Sequence, residues 1–416
     1  MTCFRSLLHR ASVLSASALI GLSLLTAPRH AQAADSGFAH TSGQQIVDGN
    51  GQPLYLRGIN LGNWFETEGY MFHFEHGPQS TREIEALTNE LLGPDASARF
   101  WHEWREKYIT RDDIAYLHQI GLNSIRIPID YRYFTPGNDE GFRLLDRVIG
   151  WAGENHIYVV IDMHAAPCGQ TGTNIDNSWG YPWLYDSEEC QRQTVEIWTR
   201  IAAHYTNNKT VLGYDLLNEP VPHYPSLQKY NDKLEPVYKK IVAGIRTVDK
   251  HHIVILGGAQ WDTNFKVFGP PFDTNTVYQL HKYWMDPVQA SIQTYVDFSK
   301  QYNVPVWLGE SGENNDAWIG KFVTVLEQNH IGWAFWTYKK IDTTSSIVSA
   351  PKPRYWDEIV AYSQLPEGTG NAEKRIGARP PQDHIQAAFD DLLKNVEFAN
   401  CVKNPGYIQA LGLKEQ

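Results

Sequence analysis

Short apolar runs alternate with amphipathic stretches from about residue 45 to about residue 360, the spacing expected of strands joined by helices. Residues 54–59, 122–128, 157–163, 211–217, 253–256, 276–280, 304–308 and 332–335 read as eight strands. The run at 157–163 is almost continuously apolar, as a strand buried on both faces must be. Between the strands, helical periodicity falls at 81–119, 141–155, 187–205, 226–249, 287–302 and 317–329. The first of these regions breaks at Gly93-Pro94 and again near Thr110, which with Asp113 forms a capping box. Ser187 caps a helix whose first turn carries Glu188 and Glu189. Residues 45–47 and 53–59 flank Asp48-Gly49-Asn50-Gly51, turn chemistry that predicts an N-terminal β-hairpin. Eight strand–helix units in one chain fit an α/β fold of a single (β/α)8 TIM barrel better than a doubly wound sheet. The barrel should occupy residues 46–362, after a flexible segment at 34–45. Residues 363–416 form a helical extension packed on it, with an exposed Pro/Gly-containing linker near 365–383.

Polar and aromatic residues recur where the apolar runs stop. Arg126, His164, Asn218 with Glu219, His281 with Tyr283, Glu310 and Trp336 all stand at such ends. Each alone has an ordinary structural explanation, such as an ion pair, a core histidine or a packing aromatic. Six strands placing them at one end is harder to explain that way, because in this fold the catalytic groups come from the C-terminal ends of several strands. The loop at 165–186 is long, and long loops usually serve a function.

Composition narrows the chemistry. The net charge is −11 and no basic cluster stands out, which argues against nucleic acid and anionic membranes as partners. No strand-linked GxGxxG and no GxxxxGK[ST] loop is present, so nucleotide binding has no motif. The 14 Trp and 22 Tyr exceed what a core needs and suggest a surface that stacks on a ligand. Residues 1–33 carry Arg5 and Arg10, an apolar stretch and Ala31-Gln32-Ala33, the pattern of a cleaved signal peptide. The mature protein should then be secreted or periplasmic, a monomer, and free of the membrane. Cys168 and Cys190 flank one loop and are the pair expected to bond, with Cys401 left over. Cysteines so scattered make a poor metal site, and no metal is expected.

Two glutamates on the fourth and seventh strands suit glycoside cleavage, in which one acid protonates the leaving oxygen and a second carboxylate attacks the sugar or activates water. Glu219 would be the proton donor, raised by burial and by the charge of Glu310. Arg126 and Tyr283 would hold Glu310 ionised. Asn218 is placed for the sugar 2-hydroxyl, the histidines for orienting carboxylates and hydroxyls, and Trp336 for the floor of the site. Glu66, Asn63, Trp64, Asn174, Trp179 and Trp261 are further candidates for sugar contact, followed by Glu313-Asn314-Asn315.

These residues resemble glycoside hydrolase family 5, the cellulase family of clan A. The pattern is Leu56-Arg57-Gly58-Ile59-Asn60, Ser124-Ile125-Arg126-Ile127-Pro128, Asp162-Met163-His164, Leu217-Asn218-Glu219-Pro220, His281-Lys282-Tyr283, Leu308-Gly309-Glu310 and Gly332-Trp333-Ala334-Phe335-Trp336. It spans about residues 45–360. The resemblance implies a retaining mechanism with Glu219 as acid/base and Glu310 as nucleophile, and no cofactor. LRGINLGNWFE at 56–66 and HAAPCGQTG at 164–172 are similar to the branch of exo-β-1,3-glucanases and β-glucosidases, which commonly has LRGxNLGGW and HGAPGSQNG. This chain differs at Asn63, Ala165, Cys168 and Thr171, in loops that shape the pocket. The expected substrate is a β-glucan or gluco-oligosaccharide. The competing readings are an endo-β-1,4-glucanase, another β-glycan hydrolase such as a mannanase, a transglycosylase built on the same residues, and a catalytically weak carbohydrate-binding barrel.

Overall fold

The computed structural model describes residues 37–177 and 180–414. The expected signal peptide, the start of the N-terminal segment and Trp179 lie outside them. Eight parallel strands close into a barrel: β1 (Arg57–Asn60), β2 (Ser124–Asp130), β3 (Tyr158–Ala165), β4 (Val211–Asp215), β5 (Ile253–Gly257), β6 (Thr276–His281), β7 (Val306–Glu310) and β8 (Gly332–Phe335). Each strand pairs with the next, and β8 pairs with both β7 and β1. All eight predicted strands are therefore present, in chain order around the ring.

Helices alternate with the strands because apolar residues at helical spacing have the strands' outer faces to cover. The region expected to break twice forms Thr81–Leu92, Pro94–Lys107 and Arg111–Gln119, and the Thr110–Asp113 capping box is made. At the N-terminal end of the barrel, Ala39 and Ile46 join the buried cluster of Leu56, Leu212 and Ile253. Ala39 directly precedes, and Ile46 lies within, an antiparallel hairpin whose arms are His40–Ser42 and Gln45–Val47. The turn expected at 48–51 supports only a single bridge, Val47 to Pro53. Part of the segment expected to be flexible is thus a strand, paired because its backbone groups meet a partner over the barrel mouth.

The C-terminal region adds a three-stranded sheet of Lys339–Ile341, Val348–Ala350 and Val402–Lys403, which was not anticipated. Lys339 fastens it. Its buried ammonium donates to the carbonyls of Tyr108 (2.7 Å) and Val396 (2.6 Å) and pairs with Asp113 at 2.8 Å. The stretch expected as an exposed linker contains a helix, Ala372–Ala378, anchored where buried Arg375 Nε donates to Glu90 at 3.0 Å. Cys168 and Cys190 are bonded, tying the loop after β3 to the helix Glu188–Tyr205.

Candidate active site

The polar strand ends converge on one cavity of about 690 Å³ at the C-terminal face of the barrel. Arg126 lies at its base with no exposed surface. Its guanidinium reaches five acceptors. Nε donates to Asp215 (2.8 Å), Nη1 to Asn60 (2.9 Å) and Glu310 (2.6 Å), and Nη2 to Asn218 (2.8 Å), with Asp162 at 3.0 Å. A planar fork with fixed donors can hold five groups from four strands or their ends in one geometry, which a point charge cannot. Burial raises Asp162 and Asp215 to about 7, against the pull of Arg126. Tyr283 donates from its hydroxyl to the second Glu310 oxygen at 2.9 Å.

His164 and Asn218 are oriented in sequence. Burial lowers His164 to about 4, so the ring is neutral and carries one N–H. Nδ1 lies 2.8 Å from Asp162 and Nε2 lies 3.3 Å from the Asn218 amide nitrogen. An N–H on Nδ1 then leaves Nε2 to accept from Asn218, whose oxygen already accepts from Arg126.

Glu219 sits just past β4, with its backbone in the left-handed region at φ 46°. Its carboxyl lies 3.0 Å from His281 Nδ1, and its backbone N–H donates to Asp262 at 3.2 Å. Burial raises it to about 7, with His164, Arg126 and His223 opposing the shift. The charge of Glu310, expected to contribute, is not among the causes. His281 is lowered to about 3 by burial, and its Nε2 lies 3.2 Å from Asp262. Glu219 and Glu310 each bring a carboxylate oxygen within 4.8 Å of the other's.

Among the described residues, Glu219, His281 and Glu310 are the one group clustered closely enough to hold a metal ion. The Arg126 guanidinium 2.6 Å from Glu310 is a positive charge that any cation there would have to approach.

Eight of the predicted residues meet here: Arg126 beneath the cavity, and His164, Asn218, Glu219, His281, Tyr283, Glu310 and Trp336 in its wall. Trp261, Asn174 and Glu313 also line it. Three do not. Asn63 and Trp64 are buried away from the wall, with Trp64 donating its indole N–H to the Arg105 carbonyl at 2.8 Å. Glu66 is only 2% exposed and faces Asp130, another buried acid, which together with burial raises its pKa. The chain turns between these positions, and Glu68, two residues on, is the acid that reaches the cavity. Burial first, then Glu310, Glu219 and Glu313, raise Glu68 well above the usual range. Glu68, Tyr70, His223, Tyr224, Thr263 and Trp284 all line the site and were not anticipated. His223, Tyr224 and Trp284 stand close after Glu219 and Tyr283, so extending the search a few residues past each strand end would have found them.

The geometry is that of a barrel glycosidase, and comparison with known proteins agrees. The chain belongs to the cellulase family, glycosyl hydrolase family 5, whose model matches residues 86–341. It is therefore a glycosidase, with a glycan as its substrate. A β-xylosidase of Phanerodontia chrysosporium is 28% identical, over 73% of this chain and 71% of its own. A probable glucan endo-1,6-β-glucosidase B of Aspergillus flavus is 27% identical, over 72% and 89%. A glucan 1,3-β-glucosidase of Candida oleophila is 29% identical, over 58% and 61%. Among solved structures, an endogalactoceramidase shares the fold with a TM-score of 0.58 at 19% identity, covering 86% of this chain and 84% of that one. A rutinosidase from Aspergillus niger does so with a TM-score of 0.55 at 18% identity, covering 70% and 92%.

Proposed function

We propose that the protein is an exported, monomeric, retaining β-glucosidase or β-glucanase that works by double displacement. Glu310 attacks the anomeric carbon and Glu219 first protonates the leaving oxygen, then takes a proton from the incoming water. The spacing of the two carboxylates carries this reading. An oxygen of each within 4.8 Å of the other supports the roughly 5–5.5 Å separation of retaining enzymes over the roughly 6.5–9.5 Å of inverting ones.

The surroundings divide the roles. Arg126 and Tyr283 both donate to Glu310, which favours an anionic nucleophile. Burial favours the protonated form of Glu219, which suits an acid. A neutral His281 accepts at one nitrogen and carries its hydrogen on the other, so Nδ1 takes the Glu219 hydrogen bond while Nε2 faces Asp262 at 3.2 Å without a formed hydrogen bond. Asn218 keeps an amide N–H for the sugar 2-hydroxyl, a contact that strengthens in the transition state. Trp336 supplies the floor, and Glu68 offers its carboxyl to sugar hydroxyls.

The glucan assignment draws on the 1,3- and 1,6-glucosidase relatives. The β-xylosidase relative favours a second reading, a β-xylosidase with the same mechanism. Two assays test the proposal. Glu310→Ala should lose activity on an aryl β-glucoside and regain it with azide, releasing an α-glucosyl azide. A β-azide product, or full activity in the variant, refutes the assigned nucleophile. Product profiles on laminarin, carboxymethylcellulose, xylan and mannan settle the sugar. Cleavage of xylan alone would overturn the glucan assignment while leaving the chemistry standing.

A further inference from the structure

Three residues beyond Glu310, the Glu313 carboxylate makes contacts that the chemistry above does not use. Lys340 Nζ lies 2.7 Å from each of its oxygens, and both side chains are largely buried. One of those oxygens also accepts from the Tyr70 hydroxyl at 3.0 Å. The Tyr70 oxygen in turn lies 2.7 Å from Trp336 Nε1. An indole N–H can only donate, so Tyr70 must accept there and spend its own hydrogen on Glu313. The direction of the chain is thereby set: Trp336 to Tyr70 to Glu313, with Lys340 neutralising the end.

Trp336 has little other freedom. Its rings stack on His164 at 5.5 Å, nearly parallel. A Cβ on Gly62 would lie 2.5 Å from its indole, so the loop after β1 closes against the ring. Its backbone N–H donates to Ser311 at 2.6 Å. The second aromatic is Trp284, which lines the cavity and is 75% exposed. Its indole N–H donates to the backbone carbonyl of Glu313 at 3.3 Å. One residue thus ties the buried indole, through its side chain, and the exposed indole, through its carbonyl.

We propose that Glu313 is a positioning residue. With Lys340 it orients Tyr70 and so fixes Trp336 under the bound sugar, while its carbonyl holds Trp284 at the rim, so the Glu313 loop sets the gap between the two stacking surfaces. The proposal rests on the glycosidase reading of the site. It predicts that breaking the chain weakens sugar binding more than it slows the chemistry, because the hydrogen bonds of these four side chains run to one another and not to Glu219 or Glu310.

Tyr70→Phe tests this most cleanly, because it removes one hydroxyl and leaves the Glu313–Lys340 pair intact. The double variant Glu313→Gln with Lys340→Met removes both charges together and so leaves no buried ion unpaired. Kinetics are measured on whichever aryl glycoside of the panel the wild type cleaves. A wild type that cleaves none would undo the glycosidase reading instead. In both variants KM should rise about tenfold, the weight of one well-made hydrogen bond, while kcat falls less than about threefold. Proton exchange at the Trp336 indole N–H, followed by NMR, should speed up in both. A merely structural role would lower the melting temperature and leave the KM of the folded enzyme unchanged. Unchanged KM with an unchanged Trp336 exchange rate in Tyr70→Phe overturns the proposal, as does a loss confined to kcat.

Discussion

Arg126→Lys keeps the charge and removes the fork. The guanidinium serves Asn60, Asp162, Asp215, Asn218 and Glu310, all drawn to one point from four strands or their ends. A lysine ammonium has three donors on one atom, so at least two of the five acceptors lose their donor. Hydrogen bonds to charged groups contribute about 1.5–3 kcal/mol each, so the loss is roughly 3–6 kcal/mol. That is a large part of the roughly 5–15 kcal/mol that holds a domain folded. The abandoned carboxyls can relieve part of the cost by taking up protons, which raises their native pKa further. A carboxyl raised in the native state contributes stability below its unfolded pKa and loses it as pH rises through the native value. The deficit should therefore be greater at alkaline than at acid pH. Urea unfolding at two pH values reads the stability, and kcat/KM on an aryl glycoside reads the orientation of Asn218 and Glu310. A variant that loses less than about 1 kcal/mol and less than about threefold in kcat/KM would show that the fork is not what organises the site.

If Glu219 is the proton donor, with burial holding it at about 7, kcat/KM falls as pH rises through that value. In Glu219→Gln that limb should be absent on substrates whose leaving group needs no proton. Glu66 is raised by burial and by Asp130, with Arg132 opposing, so the native state keeps its proton to higher pH than the unfolded chain does and the wild type loses stability as pH rises. Glu66→Gln keeps the neutral shape, and melts across pH should show it gaining on the wild type towards alkaline pH. The Cys168–Cys190 bond closes a loop of sequence separation 22. Replacing both cysteines by serine should cost about 3 kcal/mol in urea unfolding, from the freedom returned to the unfolded chain.

The barrel and the carboxylate pair in its cavity were legible in the chain because both are written locally. A strand buried in a closed parallel ring must be apolar along its length, so the eight runs announce themselves, and the residues where each run stops are placed at the same end by the fold. Glu219, Glu310, Arg126, His164, Asn218, His281, Tyr283 and Trp336 were found in this way. What the tertiary structure decided are matters of direction and of contact between distant loops. Glu66 and Glu68 are two acids on one short loop, and nothing local says which is buried against Asp130 and which meets the cavity. The turn from left-handed Asn63 to the 3-10 segment beginning at Gly69 makes that choice, and packing sets it. The linker expected near 365–383 reads as polar and breakable, yet Glu90, far away in the chain, buries Arg375 and folds a helix there. The chain from Trp336 through Tyr70 and Glu313 to Lys340 joins three loops that share no periodicity. Hydrophobic patterning is a property of neighbours along the chain, whereas a hydrogen bond across 243 residues exists only once the ring has closed.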